Sequence, residues 1–561
     1  MDAQAGIAKG WLEECLSAHD SCRKRARLYT IFSTDNSNLC NSLNHDDLMP
    51  RRLLAFPPSS TEEFRTCGVV KLVELGKTEE ELPYVALSHR WGGKESCIAK
   101  KSNIESLKSE GVPFAQLPKT FQDAVTVTQN LGYSNLWIDS LCIIQGDKED
   151  WKAEAPRMAV VYGNAVCTLA AVDASDNDGG FSPSNVDDNV RGGLNRRGWV
   201  LQERMISPRT LSFSADSMAW ECRECDATQE KPAFQTRSNM NNERSLHPKD
   251  IFTIFRDFRL PDSGDDDELP LKLWFSTFEL EGDPDEYTPF IRAWWQLISM
   301  YTECSLSVES DKFLAMHGIS SISQIWTRLG NSWGLWRHFL DKDLVWYIDS
   351  MSSASRPKRW LGPSWSWVNT VGGKVVNDYY ATLPVEPNLM LKPEIGMPVG
   401  TSFDQKLPIP AWSGDKQFYG VTLKGDIRAG EVTASVDGKG QKFYKMSLDP
   451  TGRWSEAEVH DFRPDVAEDF EVGKTIPVNC LLFHHYDAEY HKLPSNRDIR
   501  LVVVPHGGPQ NINPILEETP VNEVAEERTM KRVGYLETTY VQMRDYSDIW
   551  DDMWLRYVRL I

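Results

Sequence analysis

The sequence predicts an α/β fold: a parallel sheet with flanking helices over residues 81–225, then a helical segment, then a β-rich C-terminal region. Three observations carry this. YVALS (84–88) is a continuous apolar run, the pattern of a strand covered on both faces. PKTFQDAVTVTQNLG (118–132) places Phe121, Ala124, Val125, Thr128 and Leu131 at helical spacing, with Pro118 suited to the first turn and Gly132 to a stop. The alternation then repeats, and strand–helix–strand–helix–strand implies parallel pairing with right-handed crossovers.

NLWIDSLCIIQ (135–145) follows the first helix as a second strand, with Asp139 and Ser140 inside it. DKEDWKAEAPRMAVVYGNA (147–165) returns to helical spacing through Trp151, Ala155, Met158 and Tyr162, and Pro156 either starts or kinks that helix. AVCTLAAVDA (165–174) is a third strand. Residues 1–80 form a lead-in. Residues 226–350 open on an acidic linker, PDSGDDDELP (261–270), and continue with aromatic-rich helical signals. Residues 351–561 carry short strands spaced by Gly and Pro, read as largely antiparallel β. The 20 tryptophans gather in these later regions and read mainly as packing, since an indole brings a large apolar area.

Composition narrows the function classes. A formal net charge of −20 argues against a nucleic-acid or anionic-membrane partner. No run reaches the roughly 18 apolar residues of a membrane span, and the first residues lack a signal pattern. Eleven cysteines in 561 residues are sparse and odd in number, unlike a disulfide scaffold, so reduced thiols and a cytoplasmic setting are expected. Walker, G-x-G-x-x-G, H-E-x-x-H and G-x-S-x-G patterns are absent.

The candidate site residues begin at the end of the first strand. Ligands of parallel sheets sit beyond the carboxyl ends of the strands, where Ser88, His89, Arg90, Trp91, Gly92 and Gly93 fall. Arg90 could hold a phosphate or carboxylate, and Trp91 could stack on a ring; equally, Trp91 could close the core and Arg90 pair with an acid. Asp139 in an apolar strand must be paired, hydrogen-bonded or pKa-shifted, and a structural role is the alternative. Glu154 lies near the edge of its helix's apolar stripe, facing either a pocket or solvent. Gln202, Glu203 and Arg204 could form a buried polar network that shapes a site or locks the fold. Cys15, His19 and Cys22, with the distant Cys222 and Cys225, could assemble a zinc site; ordinary buried thiols are the alternative.

Together these segments resemble the fungal heterokaryon-incompatibility (HET) domain family. Its Y-x-x-L-S-[YH]-x-W-G block is matched by Tyr84–Gly92, and its L-P-x-T-[FI]-x-D-A block by Leu117–Ala124. Trp137–Gln145, Asp150–Ala165 and Arg197–Arg209 match three further blocks in order and spacing. DKFLAMHGI (311–319), LVWY (344–347) and PSWSW (363–367) look like the tail of full-length members.

The resemblance implies a fungal source and a role in non-self recognition leading to cell death. It also implies a remote TIR-like fold, some of whose members cleave NAD at the nicotinamide–ribose bond with a helix-borne glutamate. On that resemblance Glu154 and Asp139 are the catalytic candidates. Ser88, His89, Arg90, Trp91, Gly92, Gln145, Gln202 and Arg204 would bind the ligand. NAD would then be a substrate, and no resident cofactor is expected. Self-association and a small-molecule ligand are the expected interactions. Two positions depart from the pattern: the family most often has cysteine at Arg90, and similar proteins usually have arginine at Glu303. A non-catalytic signalling module, and an enzyme recruited to cyclisation or isomerisation in secondary metabolism, stand beside the NAD-cleaving reading.

Overall fold

The structure, a computed structural model, describes residues 2–23, 49–58, 61–75, 82–92, 97–182, 191–237, 246–258, 284–327, 329–336, 339, 343–349, 353–377, 402–403, 421–436, 438, 442–448, 461–486, 496–505, 528–540 and 555–560. Gly93 and the acidic stretch 261–270 lie outside them. The chain divides into two compact units, Met1–Arg259 with Cys304–Thr327, and Leu260–Glu303 with Arg328–Ile561.

The first unit is built on one sheet. Its strands are β1 (Arg52–Ala55), β2 (Val69–Glu74), β3 (Val85–Ser88), β4 (Val112–Pro113), β5 (Asn135–Ile138), β6 (Thr168–Ala171), β7 (Arg209–Phe213), β8 (Met218–Cys222), β9 (Cys225–Thr228) and β10 (Gln235–Thr236). They lie in the order β10-β9-β8-β7-β6-β3-β5-β1-β2-β4. The centre, β5-β3-β6-β7, is parallel, and both wings are antiparallel. The expected parallel α/β sheet is therefore the core of this unit. The lead-in adds β1 and β2 to the same sheet, and the wing from β8 to β10 extends the other side.

β3 forms because its apolar run is wanted on both faces: Val85, Ala86 and Leu87 have no exposed surface. Burying one such Val or Leu side chain contributes about 1.5–3 kcal/mol. The helix Lys119–Asn130 packs Phe121, Ala124, Val125 and Thr128 inward and stops before Gly132, whose φ of +90° suits glycine.

Two expected elements differ. The second strand ends at Ile138, and Asp139–Cys142 is one helical turn. Asp139 causes the break, because its carboxylate accepts the Ser140 N–H at 2.7 Å and competes with ladder pairing. Asp139 is thus at a strand tip, not inside a strand. The third strand is shorter than 165–174, covering Thr168–Ala171. Between them, Lys148–Glu154 and Met158–Asn164 are helical and Pro156 sits in a 3₁₀ turn, Ala155–Arg157, that joins them.

The second unit is β-rich, as expected. Its largest sheet pairs long strands such as Val421–Val436, Thr475–Tyr486 and Arg528–Tyr540, with one parallel pair between Arg528–Tyr540 and Leu555–Leu560. Its tryptophans pack: Trp294, Trp336, Trp346, Trp365 and Trp367 are fully buried. The indole N–H groups of Trp294 and Trp367 both donate to the Gly334 carbonyl, at 3.0 and 3.3 Å. No helix among the described residues is long and apolar enough to cross a membrane.

Candidate functional site

Numbering the parallel strands in chain order as first (β3), second (β5), third (β6) and fourth (β7), their order across the sheet is 2-1-3-4. The chain reverses direction between the first and third strands. In such sheets that switch point opens a crevice beyond the carboxyl ends. β3 ends there on Ser88, and the helix that enters β7, Gly198–Ile206, carries Glu203.

Ser88 Oγ donates to Glu203 Oε2, and both residues are buried. Burial pushes the Glu203 carboxyl up to about 7, against the opposing pull of Ser88 and the Arg197 guanidinium, while the nearby Asp139 charge adds to the rise. A buried carboxyl with only partial compensation holds its proton into the neutral range. Asp139 faces the same tip from β5. Trp91 Nε1 lies 3.0 and 2.9 Å from its two oxygens, and His89 Nδ1 lies 3.8 Å from one of them. Gln145 fastens the Asp139 turn, its side-chain amide donating to the Asp139 and Ile143 carbonyls at 3.2 and 2.9 Å. Arg197 Nη1 donates to the His89 carbonyl at 2.6 Å and so pins the tip.

Several buried polar atoms here lack a hydrogen-bond partner among the described residues. They are His89 Nε2, Ser140 Oγ and both polar atoms of the Asn177 side chain, with the Asn177 amide still near enough to the His89 ring to act on it. These three residues are each 3% exposed or less. Burial lowers the His89 pKa, so its ring is neutral near pH 7 and offers either an N–H or a lone pair. Orphaned buried groups are what a ligand or ordered water would satisfy.

Residues 84–192 match the family model described as Heterokaryon incompatibility protein (HET). The chain carries a HET domain. Comparison with curated proteins and with solved structures returned no match.

Within the HET domain and its surroundings, the expected site residues separate. Ser88, His89, Trp91, Asp139 and Gln145 form one cluster, with Arg90 half-buried and Gly92 exposed beside it. Gly92 has φ +72°, and a Cβ there would overlap Asp176. Gln202 and Arg204 point elsewhere. Gln202 Oε1 is buried against Gly318, and Arg204 makes a two-pronged pair with Glu221 at 2.7 and 2.6 Å, joined by His247. Burial opposes the ionised form of Glu221, but His247, Arg204 and Lys249 together hold its carboxyl well below the usual range.

Glu154 also sits at the carboxyl edge, in a different setting. It is buried and ion-paired with Arg51 at 3.2 Å. Arg52 and Arg157 stand near it, and Arg52 is itself forked onto Asp150. Burial raises the Glu154 pKa against the pull of these three arginines. The sequence placed Glu203 in a polar network with Gln202 and Arg204 but singled out only those two as ligand-binding, since three successive helical residues are each 100° apart and only the fold says which one meets Ser88. Finally, Cys15, His19, Cys22 and Cys222 come together in the same unit, with Cys225 alongside.

Proposed function

We propose that the HET domain hydrolyses NAD at the nicotinamide–ribose bond, within a heterokaryon-incompatibility response of non-self recognition and cell death. One observation carries this reading: Glu203, a helix-borne glutamate at the switch point between the first and third parallel strands, lies beside a second carboxyl group, Asp139. The TIR-like relationship expected from the sequence calls for a helix-borne glutamate, and this one has the better surroundings than Glu154.

The chemistry follows from the charges. As the C1′–N bond breaks, nicotinamide leaves with the bonding electrons as a neutral base, so no acid is needed. Positive charge develops on the ribose, and the Asp139 carboxylate, aimed by Trp91, stabilises it. The water that adds to C1′ must lose a proton. The ionised form of a carboxyl poised near 7 is matched to accept it and to pass it to solvent. On this reading Ser140, Asn177 and His89 would offer buried polar atoms to the ribose hydroxyls and the carboxamide, and Arg90 would meet a phosphate.

The test is nicotinamide release from NAD by the full chain, measured dilute and concentrated. Glu203→Gln and Asp139→Asn should each lower the rate about 10²-fold or more, and Glu154→Gln less than about tenfold. Absence of release by the wild-type chain under every condition overturns the reading. Loss confined to Glu154→Gln overturns the assignment to Glu203. A non-catalytic ligand-binding module is the second reading. The observation in its favour is that Ser88–Glu203 and Trp91–Asp139 already satisfy each other. Toxicity on expression that survives Glu203→Gln supports it.

A further inference from the structure

A cluster of metal-ligating side chains lies outside the strand-tip site and takes no part in the proposed reaction. Cys15 and His19 come from the end of the N-terminal helix and the residue after it, and Cys22 from the next turn, Asp20–Arg23. Cys222 comes from the end of β8, two hundred residues later. Their ligand atoms all lie within 4.8 Å of one another, and all four residues are buried. No disulfide joins them.

We propose that these four residues bind a structural zinc ion in a Cys3His tetrahedron that fastens the N-terminal helix to the HET-domain sheet. Donor type comes first. Three thiols and one imidazole are a standard closed zinc set, with no carboxylate and no open position for a substrate. Spacing agrees. A tetrahedral ion with Zn–S of about 2.3 Å and Zn–N of about 2.0 Å holds sulfur and nitrogen about 3.5 Å apart. Cys222 Sγ lies 3.3 Å from His19 Nδ1.

The surroundings fit the charge of a filled site. Three thiolates around a divalent cation leave one negative charge. Arg209, 4% exposed, supplies one positive charge, with its Nε 3.2 Å from Cys15 Sγ and its Nη2 3.0 Å from the Cys22 carbonyl. The Cys225 N–H donates to Cys222 Sγ at 3.3 Å, a bond that steadies a ligating thiolate. Cys225 thus serves through its backbone, and its own sulfur stays outside the set. Hydrogen-bonded, buried thiols beside a guanidinium are poor material for catalysis and good material for a staple. The metal would close a loop from Cys22 to Cys222, tying the first helix to a strand that the sheet alone does not hold to it.

The experiment uses the full chain, purified under reducing conditions. Elemental analysis should give about one zinc per chain. Cobalt exchanged for zinc should show the intense visible bands of a tetrahedral thiolate site. Cys222→Ser and Cys15→Ser should lose most of the metal, and Cys225→Ser should keep it. The cobalt spectrum of the wild-type chain reads the ligand set even where a cysteine variant fails to fold. No zinc together with no tetrahedral cobalt bands overturns the proposal. So does an intact-mass measurement showing a disulfide among the three cysteines, or full metal retention in Cys222→Ser.

Discussion

Glu203→Gln offers a stability test of the strand-tip site that does not depend on any substrate. The folded carboxyl titrates near 7 and its ordinary value is 4.5. Below pH 4.5 both folded and unfolded chains hold the proton, and the site costs nothing in pH terms. As pH rises, the unfolded chain releases its proton first. The folded state then binds more protons than the unfolded one, so stability falls with pH until the folded carboxyl ionises near 7. At 1.36 kcal/mol per unit, the full window is worth about 3 kcal/mol, of which about 2.5 falls between pH 5 and pH 8. Glutamine is nearly isosteric and does not titrate. At pH 5 the variant should be equal to the wild type or weaker, since it exchanges the Ser88 and Tyr162 contacts of a carboxyl for those of an amide. By pH 8 it should have gained about 2.5 kcal/mol relative to the wild type. Paired urea titrations at pH 5, 6, 7 and 8 read this difference, and the other titrating groups cancel between the two proteins. A difference that stays flat across the range, or moves against glutamine as pH rises, would refute the poised carboxyl.

Gly92→Ala forces a β-carbon onto a left-handed residue and into Asp176, so it should cost about 2 kcal/mol or more, seen as a fall in melting temperature of roughly 4–8 °C. Arg52→Met strands the Asp150 carboxylate that Arg52 grips and should cost about 3–5 kcal/mol; Arg52→Met with Asp150→Leu should recover much of it, as compared by chemical denaturation. Trp91→Phe keeps the ring but removes the donor that aims Asp139, and should slow NAD cleavage about tenfold or more with little change in KM.

The parallel centre of the sheet was legible because a strand buried on both faces reads as an unbroken apolar run, as β3 does. The same rule misled at 135–145. After Ile138 the residues Leu141, Cys142, Ile143 and Ile144 continue the apolar run, yet they belong to a buried helical turn and the loop after it. A short apolar run does not distinguish the two, and the signal was Asp139, whose carboxylate captures a backbone N–H. β1 and β2 lay in a segment with no periodicity long enough to read, because four- and six-residue strands take their stability from pairing with β5 and each other. The cysteine pieces were visible in the sequence, but two hundred residues apart. Only the placement of the first helix against β8 selects Cys15, Cys22 and Cys222 and leaves Cys225 out.

The choice between Glu154 and Glu203 turns on what a cationic transition state would meet. Around Glu154 stand Arg51, Arg52 and Arg157. Three guanidinium groups near a developing oxocarbenium ion would raise its energy, whatever the glutamate contributes. Removing Glu154 would also take the ion-pair partner from Arg51, the signature of a carboxylate kept for the fold. Around Glu203 the setting differs: the Arg197 guanidinium pulls on it, the Asp139 charge opposes that pull, and its direct partners are the neutral hydroxyls of Ser88 and Tyr162. Glu203 in its ionised form, beside the Asp139 charge, favours a positively charged sugar and gives its attacking water somewhere to leave a proton.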